Sequence, residues 1–345
     1  MRVTVVRPGD LGATEAELWG RFQQSSPLML SPYLSLTFAQ TIGQIRNNAR
    51  VAVVENSGEI EAFLPFELAS GKVAQPIGYP MNDLQGIIGS SALIDVRSVV
   101  RKVGLRGWRF YHALAEQRAL APYCYDGTTV RCTVIDLTDG YKSYFSSRSK
   151  SGTRRTAEKR RSLERQFGPV SLEWSSSRPE HLRQLIEWKS GKYSSTRRMF
   201  CEDPTAQRIV EELATANKKD CSGVVSVLLA GERIVAVHLG LLGPRGLSSW
   251  FPSYDGELSR FSPGMMMWFP IAEEAASRGV TRIDFGYGQH DYKFRLANDS
   301  YPVAGGAVWA SRTDEVARKI YRRLGFDRLA RKERLAPADP SGDRA

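Results

Sequence analysis

Scarcity sets the first limits on this chain of 345 residues. Only four cysteines occur, Cys124, Cys132, Cys201 and Cys221, and no two of them form a Cys-x-x-Cys pair. Such a set argues against a disulfide framework and against a cysteine zinc site; reduced, mostly buried thiols are expected. Histidine is equally rare. His112, His181, His238 and His290 lie far apart, with no metal-ligand spacing, so no metal is expected. No apolar run reaches the roughly 18 residues of a transmembrane helix. The opening "MRVTVVRPGD" alternates like a strand and lacks the apolar core of a signal peptide, which predicts a cytoplasmic protein. No recognisable elbow pairs a serine or cysteine with a histidine, so nothing here points to covalent catalysis.

Acidic residues are also in deficit. Against 37 Asp and Glu stand 48 Lys and Arg, a net charge of +11. Such a balance suits an anionic ligand, a nucleic acid or a membrane surface. The excess is concentrated in "RSKSGTRRTAEKRRSLER" (148–165), with eight basic and two acidic residues. Arg154, Arg155, Lys159, Arg160, Arg161 and Arg165 ring a helix whose thin apolar side is Ala157, Leu163 and Phe167. A solvated helical face accounts for this pattern, and an anion-facing surface stays open beside it. The stretch 312–334 is basic as well.

What is present is a core and a repeat. A hydrophobic fraction of 42% over this length predicts about two domains. In the first half, helix-like "TEAELWGRFQQ" and "TFAQTIGQIR" precede "VAVVENSGEIEAFLPFEL", a hairpin around Asn56, Ser57 and Gly58. In the second, "EHLRQLIEWKSGKY" and "PTAQRIVEELATA" precede "GVVSVLLAGERIVAVHLGLL", a hairpin around Ala230 and Gly231. This order predicts a diverged internal duplication, 1–145 and 146–335, with a fraying tail over 336–345. Between the hairpins, "PIGYPMNDLQGIIG" (76–89) is rich in Gly and Pro yet apolar, which suits an ordered loop on a site.

One absence is local. "RFSPGMMMWF" opens a helix at 263–277 with no acid in its first turn, where the helix dipole ordinarily favours one. Ser262 is expected to cap it and Pro263 to take its first position. Pro270 inside the pattern demands a kink or about 3 kcal/mol. An acid-free start suits a bound phosphate; a plain cap followed by a buried helix explains it too. Around it, 246–255 and 280–286 read as strands, 287–298 as a loop and short helix, and 301–311 as a last strand pair or a bulged strand.

The element order, helix, helix, three strands, helix, strand, helix, strand, resembles a Gcn5-related N-acetyltransferase (GNAT) domain. Specific residues narrow the resemblance: Trp250, Tyr254-Asp255, Ser262-Pro263-Gly264, Asp284-Phe285-Gly286 and Tyr292-Lys293. In this order and spacing they closely resemble the cellulose-biosynthesis-type (CelD/BcsL) acetyltransferases, relatives of the FemAB transferases. The match is strong from 236 to 296 and looser over the rest. The implied fold is α/β (α+β), two tandem GNAT-like domains, each a mixed, mostly antiparallel sheet flanked by helices. The implied chemistry is direct attack of an amine or hydroxyl on a thioester. Acetyl-CoA or another acyl-CoA is the donor, and a sugar, sugar nucleotide or lipid-linked glycan of envelope or exopolysaccharide synthesis is the acceptor.

Site residues follow from the resemblance. Arg260, Ser262, Pro263, Gly264 and Met265 are expected at the donor pyrophosphate. Asp255 is expected as general base or substrate-orienting carboxylate, or as a turn former. Tyr254 and Tyr292 are candidates in catalysis, Tyr254 as proton donor to the leaving thiolate. Lys293 is expected to meet the reacting carbonyl or an acceptor phosphate rather than to serve folding. Trp250, His238, Asp284, Gly286 and His290 are candidate substrate contacts. The stretch from Arg260 to Met265 departs from the usual Arg/Gln-x-x-Gly-x-Gly/Ala fingerprint by one extra residue and no second small residue. A FemAB-like transfer from aminoacyl-tRNA therefore stays open, with tRNA as partner. So does a non-catalytic nucleic-acid or membrane-surface binder using the basic stripes alone.

Overall fold

A computed structural model describes residues 1–89, 94–126, 128–192, 194–288 and 290–316, apart from the side chains of 192, 194 and 195. The first elements are β1 (Arg2–Val6), α1 (Ala13–Gln23) and α2 (Leu36–Ile45). Ser35 caps α2, its hydroxyl accepting from the Phe38 N–H. β2 (Ala49–Asn56) and β3 (Glu59–Leu68) form the first expected hairpin. Ser57 and Gly58 have φ of 51° and 88°, the two-residue turn whose twist matches that of the strands. β4 (Val73–Pro76), β5 (Ile88–Gly89), α3 (Val96–Lys102) and β6 (Gly107–Leu114) follow, then β7 (Val130–Asp136), α4 (Gly140–Ser146) and the basic α5 (Lys150–Phe167). Next come β8 (Val170–Glu173), α6 (Pro179–Lys192), α7 (Ser194–Arg197), α8 (Pro204–Thr215) and the second hairpin, β9 (Ser222–Ala230) and β10 (Arg233–Leu242). The chain continues through β11 (Gly246–Tyr254), α9 (Pro263–Met266), α10 (Trp268–Ser277), β12 (Arg282–Asp284), α11 (Asp291–Leu296) and β13 (Asp299–Trp309).

Residues 1–29, 33–130 and, of the described residues that follow, 302–316 make one compact unit; 30–32 and 131–301 make the other. The strand order is β1-β2-β3-β4-β6-β13 in the first, with β5 also on β3, and β8-β9-β10-β11-β12-β7 in the second. In each, a hairpin adds a third antiparallel strand, a helix crosses, and the next strand returns parallel, β6 beside β4 and β12 beside β11. Both close with an antiparallel strand, and here the halves exchange. β7 follows β6 in sequence but pairs with β12, whereas β13 follows β12 but pairs with β6. The duplicated α/β fold is thus present in both halves. The expected division at 145 falls after β7 in sequence, and the expected boundary at 335, with the tail 336–345, lies outside the described residues.

Packing explains the elements. On α10, Trp268, Ile271, Ala272 and Ala275 fall at helical spacing and are fully buried. They pack with Ile283, Phe285 and Leu296 in the core of the second unit. Burying one large apolar side chain contributes about 1.5–3 kcal/mol. The helix expected over 263–277 is two segments meeting at Met267, which donates to the Pro263 carbonyl and accepts from the Ile271 N–H. Pro270 has no N–H to offer Met266, so the helix breaks there. On α5, Leu163 is buried and Phe167 half-buried, but Ala157 is exposed, so the apolar side is narrower than expected. The 76–89 loop is held by polar contacts rather than by regular structure. Buried Glu67 accepts from the Gly78 N–H at 2.7 Å and pairs with Arg46 at 3.1 Å. Gln85 accepts from the Tyr111 N–H, and Gln117 bonds both backbone groups of Ile87.

Candidate active site

β11 and β12 run side by side for only three residue pairs, Gly246–Arg282, Leu247–Ile283 and Ser248–Asp284. Beyond Ser248, β11 keeps β10 on one edge and has no strand on the other among the described residues. Its register with β10 slips at the same place. Leu239 faces Phe251 and Gly240 faces Ser249, leaving Trp250 as the extra residue of a β-bulge. A parting pair of parallel strands with a bulge at the parting point leaves an open strand edge along which an extended ligand can lie.

β11 leads into a tight turn. Asp255 Oδ1 accepts from the Glu257 N–H at 2.9 Å, and Oδ2 accepts from Arg233 Nη2 at 2.6 Å. The same Nη2 reaches Glu257 at 2.6 Å. Both oxygens of Asp255 are therefore committed to the turn. A groove of about 560 Å³ opens beside it, lined by Gln184, Trp188, Glu232, Arg233, Asp255 and Glu257 among others.

Ser262 sits at φ 54° and ψ 52°, the left-handed region rather than the extended one a cap needs. Its hydroxyl makes no capping bond and instead accepts from Lys159 Nζ of α5 at 2.5 Å. The expected cap is thus corrected, while Pro263 does take the first helical position. Arg260 is exposed, stacks over Phe261 at 4.7 Å and donates to Gln166 at 2.6 Å. A Cβ on Gly264 would stand 3.3 Å from the Tyr254 ring, so this glycine lets the tyrosine lie against the helix start. Met265 is partly buried against the core.

Past β12 the backbone turns through Gly286 and Gly288, at φ 64° and 119°. Asp284 accepts from the Gly286 N–H at 2.8 Å and from the Tyr301 hydroxyl at 2.5 Å. Burial and this carboxylate push the Tyr301 hydroxyl well above its ordinary pKa. Lys293 is only 8% exposed and donates to the Phe285 and Tyr287 carbonyls, each at 2.7 Å. Rings continue inward from here: His290 to Tyr292 at 6.0 Å, Tyr292 to Phe285 at 6.2 Å, Phe285 to Trp268 at 4.7 Å, and Trp268 to His238 at 4.9 Å. His238 is fully buried, and its pKa is lowered to about 3 by burial and by the charge of Lys189.

Residues 150–294 match the family described as acetyltransferase (GNAT) domain. That stretch is similar to a GNAT domain, and the chain is an acyltransferase. No curated protein matches the chain. Solved structures share the fold at low identity. FemX is 12% identical with a TM-score of 0.60, covering 93% of this chain and 100% of its own. The C-terminal DUF2156 domain of an Agrobacterium fabrum protein assigned as a lysylphosphatidylglycerol synthetase is 13% identical with a TM-score of 0.53, covering 90% and 96%. L-PGS from Bacillus licheniformis is 13% identical with a TM-score of 0.51, covering 89% and 95%.

Within 150–294 the expected residues fall into three groups. Tyr254, Arg260, Ser262, Pro263, Gly264 and Met265 gather at the helix start. Asp284, Gly286, His290, Tyr292 and Lys293 gather at and past the end of β12, and Asp255 joins Arg233 at the groove. Trp250 is 7% exposed and packs on Phe251 at 4.8 Å, so it is no open platform for a sugar. Lys293 was expected to serve chemistry rather than folding; its buried ammonium ties down two carbonyls and so braces the loop that carries the site. Cys132 and Cys221 are buried as expected, but Cys201 is exposed. Arg233 and Tyr301 were not foreseen: each meets its carboxylate through a pairing of distant residues that no local pattern announces.

No helix among the described residues is long and apolar enough to cross a membrane.

Proposed function

We propose that this chain moves an acyl group from acyl-CoA, acetyl-CoA in the simplest case, to a nitrogen or oxygen of a sugar, sugar nucleotide or lipid-linked glycan, as in the cellulose-biosynthesis-type acetyltransferases. The observation that carries this reading is the parting of β11 from β12 at Ser248, with the bulge at Trp250. The edge of β11 beyond Ser248 that has no strand beside it among the described residues lies along the course of the pantetheine arm, and backbone bonds there would contribute about 0.5–1.5 kcal/mol each. At the end of that edge, Lys159 and Arg260 flank a helix start without acids, which suits a pyrophosphate. The backbone beside the bulge is the candidate stabiliser of the oxyanion that forms as the acceptor attacks the thioester. Tyr254 and Tyr292 are the candidate donors of a proton to the departing thiolate.

Asp255 is held too firmly by Arg233 to serve as a mobile base, and it acts here as an orienting carboxylate. The groove beside it joins the indole of Trp188 to the planar polar groups of Gln184, Glu232 and Arg233. A strand rises about 3.3 Å per residue, so Asp255 stands roughly 20 Å from the parting point. The groove therefore holds a distal part of an extended acceptor. Calorimetric titration with CoA tests the donor site. Lys159→Glu and Arg260→Glu should each weaken binding at least tenfold, and unchanged affinity in folded variants would count against it.

The exposed arginines of α5, Arg154, Arg155, Arg161 and Arg165, favour a second reading, transfer from aminoacyl-tRNA. Binding of tRNA that falls steeply with salt, together with no heat from CoA, would select it.

A further inference from the structure

Among the residues of 150–294 whose buried polar atoms nothing in the fold uses, His238 and Trp268 lie against each other. Both ring nitrogens of His238 and the indole Nε1 of Trp268 are buried with no hydrogen-bond partner among the described residues. Both residues are wholly inaccessible, and their rings meet edge to face at 4.9 Å. Each such buried group left unsatisfied costs about 1–3 kcal/mol. Three of them together weigh heavily against a total stability of about 5–15 kcal/mol. Costs of this kind concentrate where a protein keeps groups in reserve for a ligand.

Their place in the sheet is specific. A Cβ on Gly240 would come within 2.7 Å of His238 Cε1, so the imidazole lies directly over this glycine. Gly240 pairs with Ser249, the first residue of β11 beyond its pairing with β12. Trp268 also touches Phe285, the first residue beyond β12, at 4.7 Å. His238 and Trp268 thus lie under the point where the strands part and where the bulge sits. Met265, Met266 and Met267, which precede Trp268 in sequence, belong to or border the same core and are unbranched side chains that repack readily.

The inventory of these atoms selects the guest. A neutral imidazole offers one N–H and one lone pair, and the indole offers one N–H. A hydroxyl, with one donor and two acceptor positions, serves one imidazole nitrogen and the indole N–H together; the second imidazole nitrogen points away from the first and needs a partner of its own. An ammonium, carrying donors only, leaves both N–H groups facing more donors, and a methyl satisfies none. We propose that His238 and Trp268 recognise a hydroxyl of the reacting molecules, on the transferred acyl chain or on the acceptor, at the parting point of β11 and β12. This rests on the acyl-transfer reading above.

The test follows the His238 ring signals by NMR, assigned with His238→Leu, during titration with CoA, butyryl-CoA, 3-hydroxybutyryl-CoA and N-acetylglucosamine. Calorimetry runs beside it. If the acyl chain carries the hydroxyl, 3-hydroxybutyryl-CoA binds about tenfold more tightly than butyryl-CoA, and it alone shifts the ring signals. Trp268→Phe, which keeps the ring contact and removes the N–H, brings the two affinities together. If the acceptor carries it, only the sugar shifts the signals. Equal affinity for the two thioesters, with His238 unmoved in every arm, overturns the inference and leaves an internal structural pair. Absence of heat from CoA overturns the donor reading separately, because the sugar arm does not depend on it.

Discussion

At the scale of single residues, burial decides what each charged or polar group does. Lys293→Ala would leave the Phe285 and Tyr287 carbonyls without their ammonium, at about 1–3 kcal/mol. In a protein of this size a loss of 1 kcal/mol lowers the melting midpoint by roughly 2–4 °C. Calorimetry should find the variant several degrees less stable; a midpoint equal to the parent's would restore Lys293 to a purely chemical role. Histidine burial has a pH signature. The pKa of His238 is lowered to about 3 and that of His112 to about 4, both by burial. An unfolded imidazole takes up its proton near pH 6.5, while the folded one refuses it until the lower value. Stability from these neutral rings is therefore complete above about pH 6.5 and falls on acidification, by up to about 1.4 kcal/mol per pH unit for each ring. Thermal midpoints between pH 7 and pH 5 should fall, and His238→Leu should flatten the slope by about half. A parental slope in that variant would show that His238 is protonated in the folded chain.

At the scale of elements, the two hairpins are the same device in different surroundings. Gly58 turns the first at φ 88°, and a Cβ there meets nothing within 4 Å. Gly231 turns the second at φ 58°, and a Cβ there stands 2.3 Å from the Phe167 carbonyl at the end of α5. Gly58→Ala should cost only the backbone strain, about 1 kcal/mol. Gly231→Ala adds a clash that forces α5 and the turn apart, and should melt clearly below Gly58→Ala. Equal midpoints would mean that α5 yields freely. The contrast also shows what could be read beforehand. Both hairpins, α1, α2, α8 and α11 announce themselves by alternation, helical period or caps, because those signals lie within a few residues of one another. The acid-free helix start at Pro263 was legible for the same reason. The left-handed Ser262 was not, since the Lys159 that engages its hydroxyl comes from α5, 103 positions earlier. Nor was the short span of β12, three residues where seven looked strand-like, because the strand ends where Asp284 turns to Tyr301 and Gly286.

At the scale of the whole molecule, the exchange of β7 and β13 dictates where the chain can be cut. β12 is three residues long and has β11 on one edge and β7 on the other. A fragment spanning 146–316 keeps every motif of the GNAT-like stretch but loses β7. It exposes one edge of β12 beside the fully buried Ile283, and it carries a β13 without its β6 partner. Unpaired, apolar strand edges recruit other chains. A fragment spanning 131–301 keeps β7 on β12 and keeps Tyr301, whose hydroxyl holds Asp284. We expect 131–301 to unfold in one cooperative step and to give the CoA heat of the full chain. The 146–316 fragment should aggregate or melt gradually. Both fragments contain Lys159, Arg260 and Lys293, so a difference between them isolates the closing strand from the site residues. Cooperative melting of 146–316 at the midpoint of 131–301 would show that β7 is dispensable, and that the second half folds from its own sequence neighbours alone.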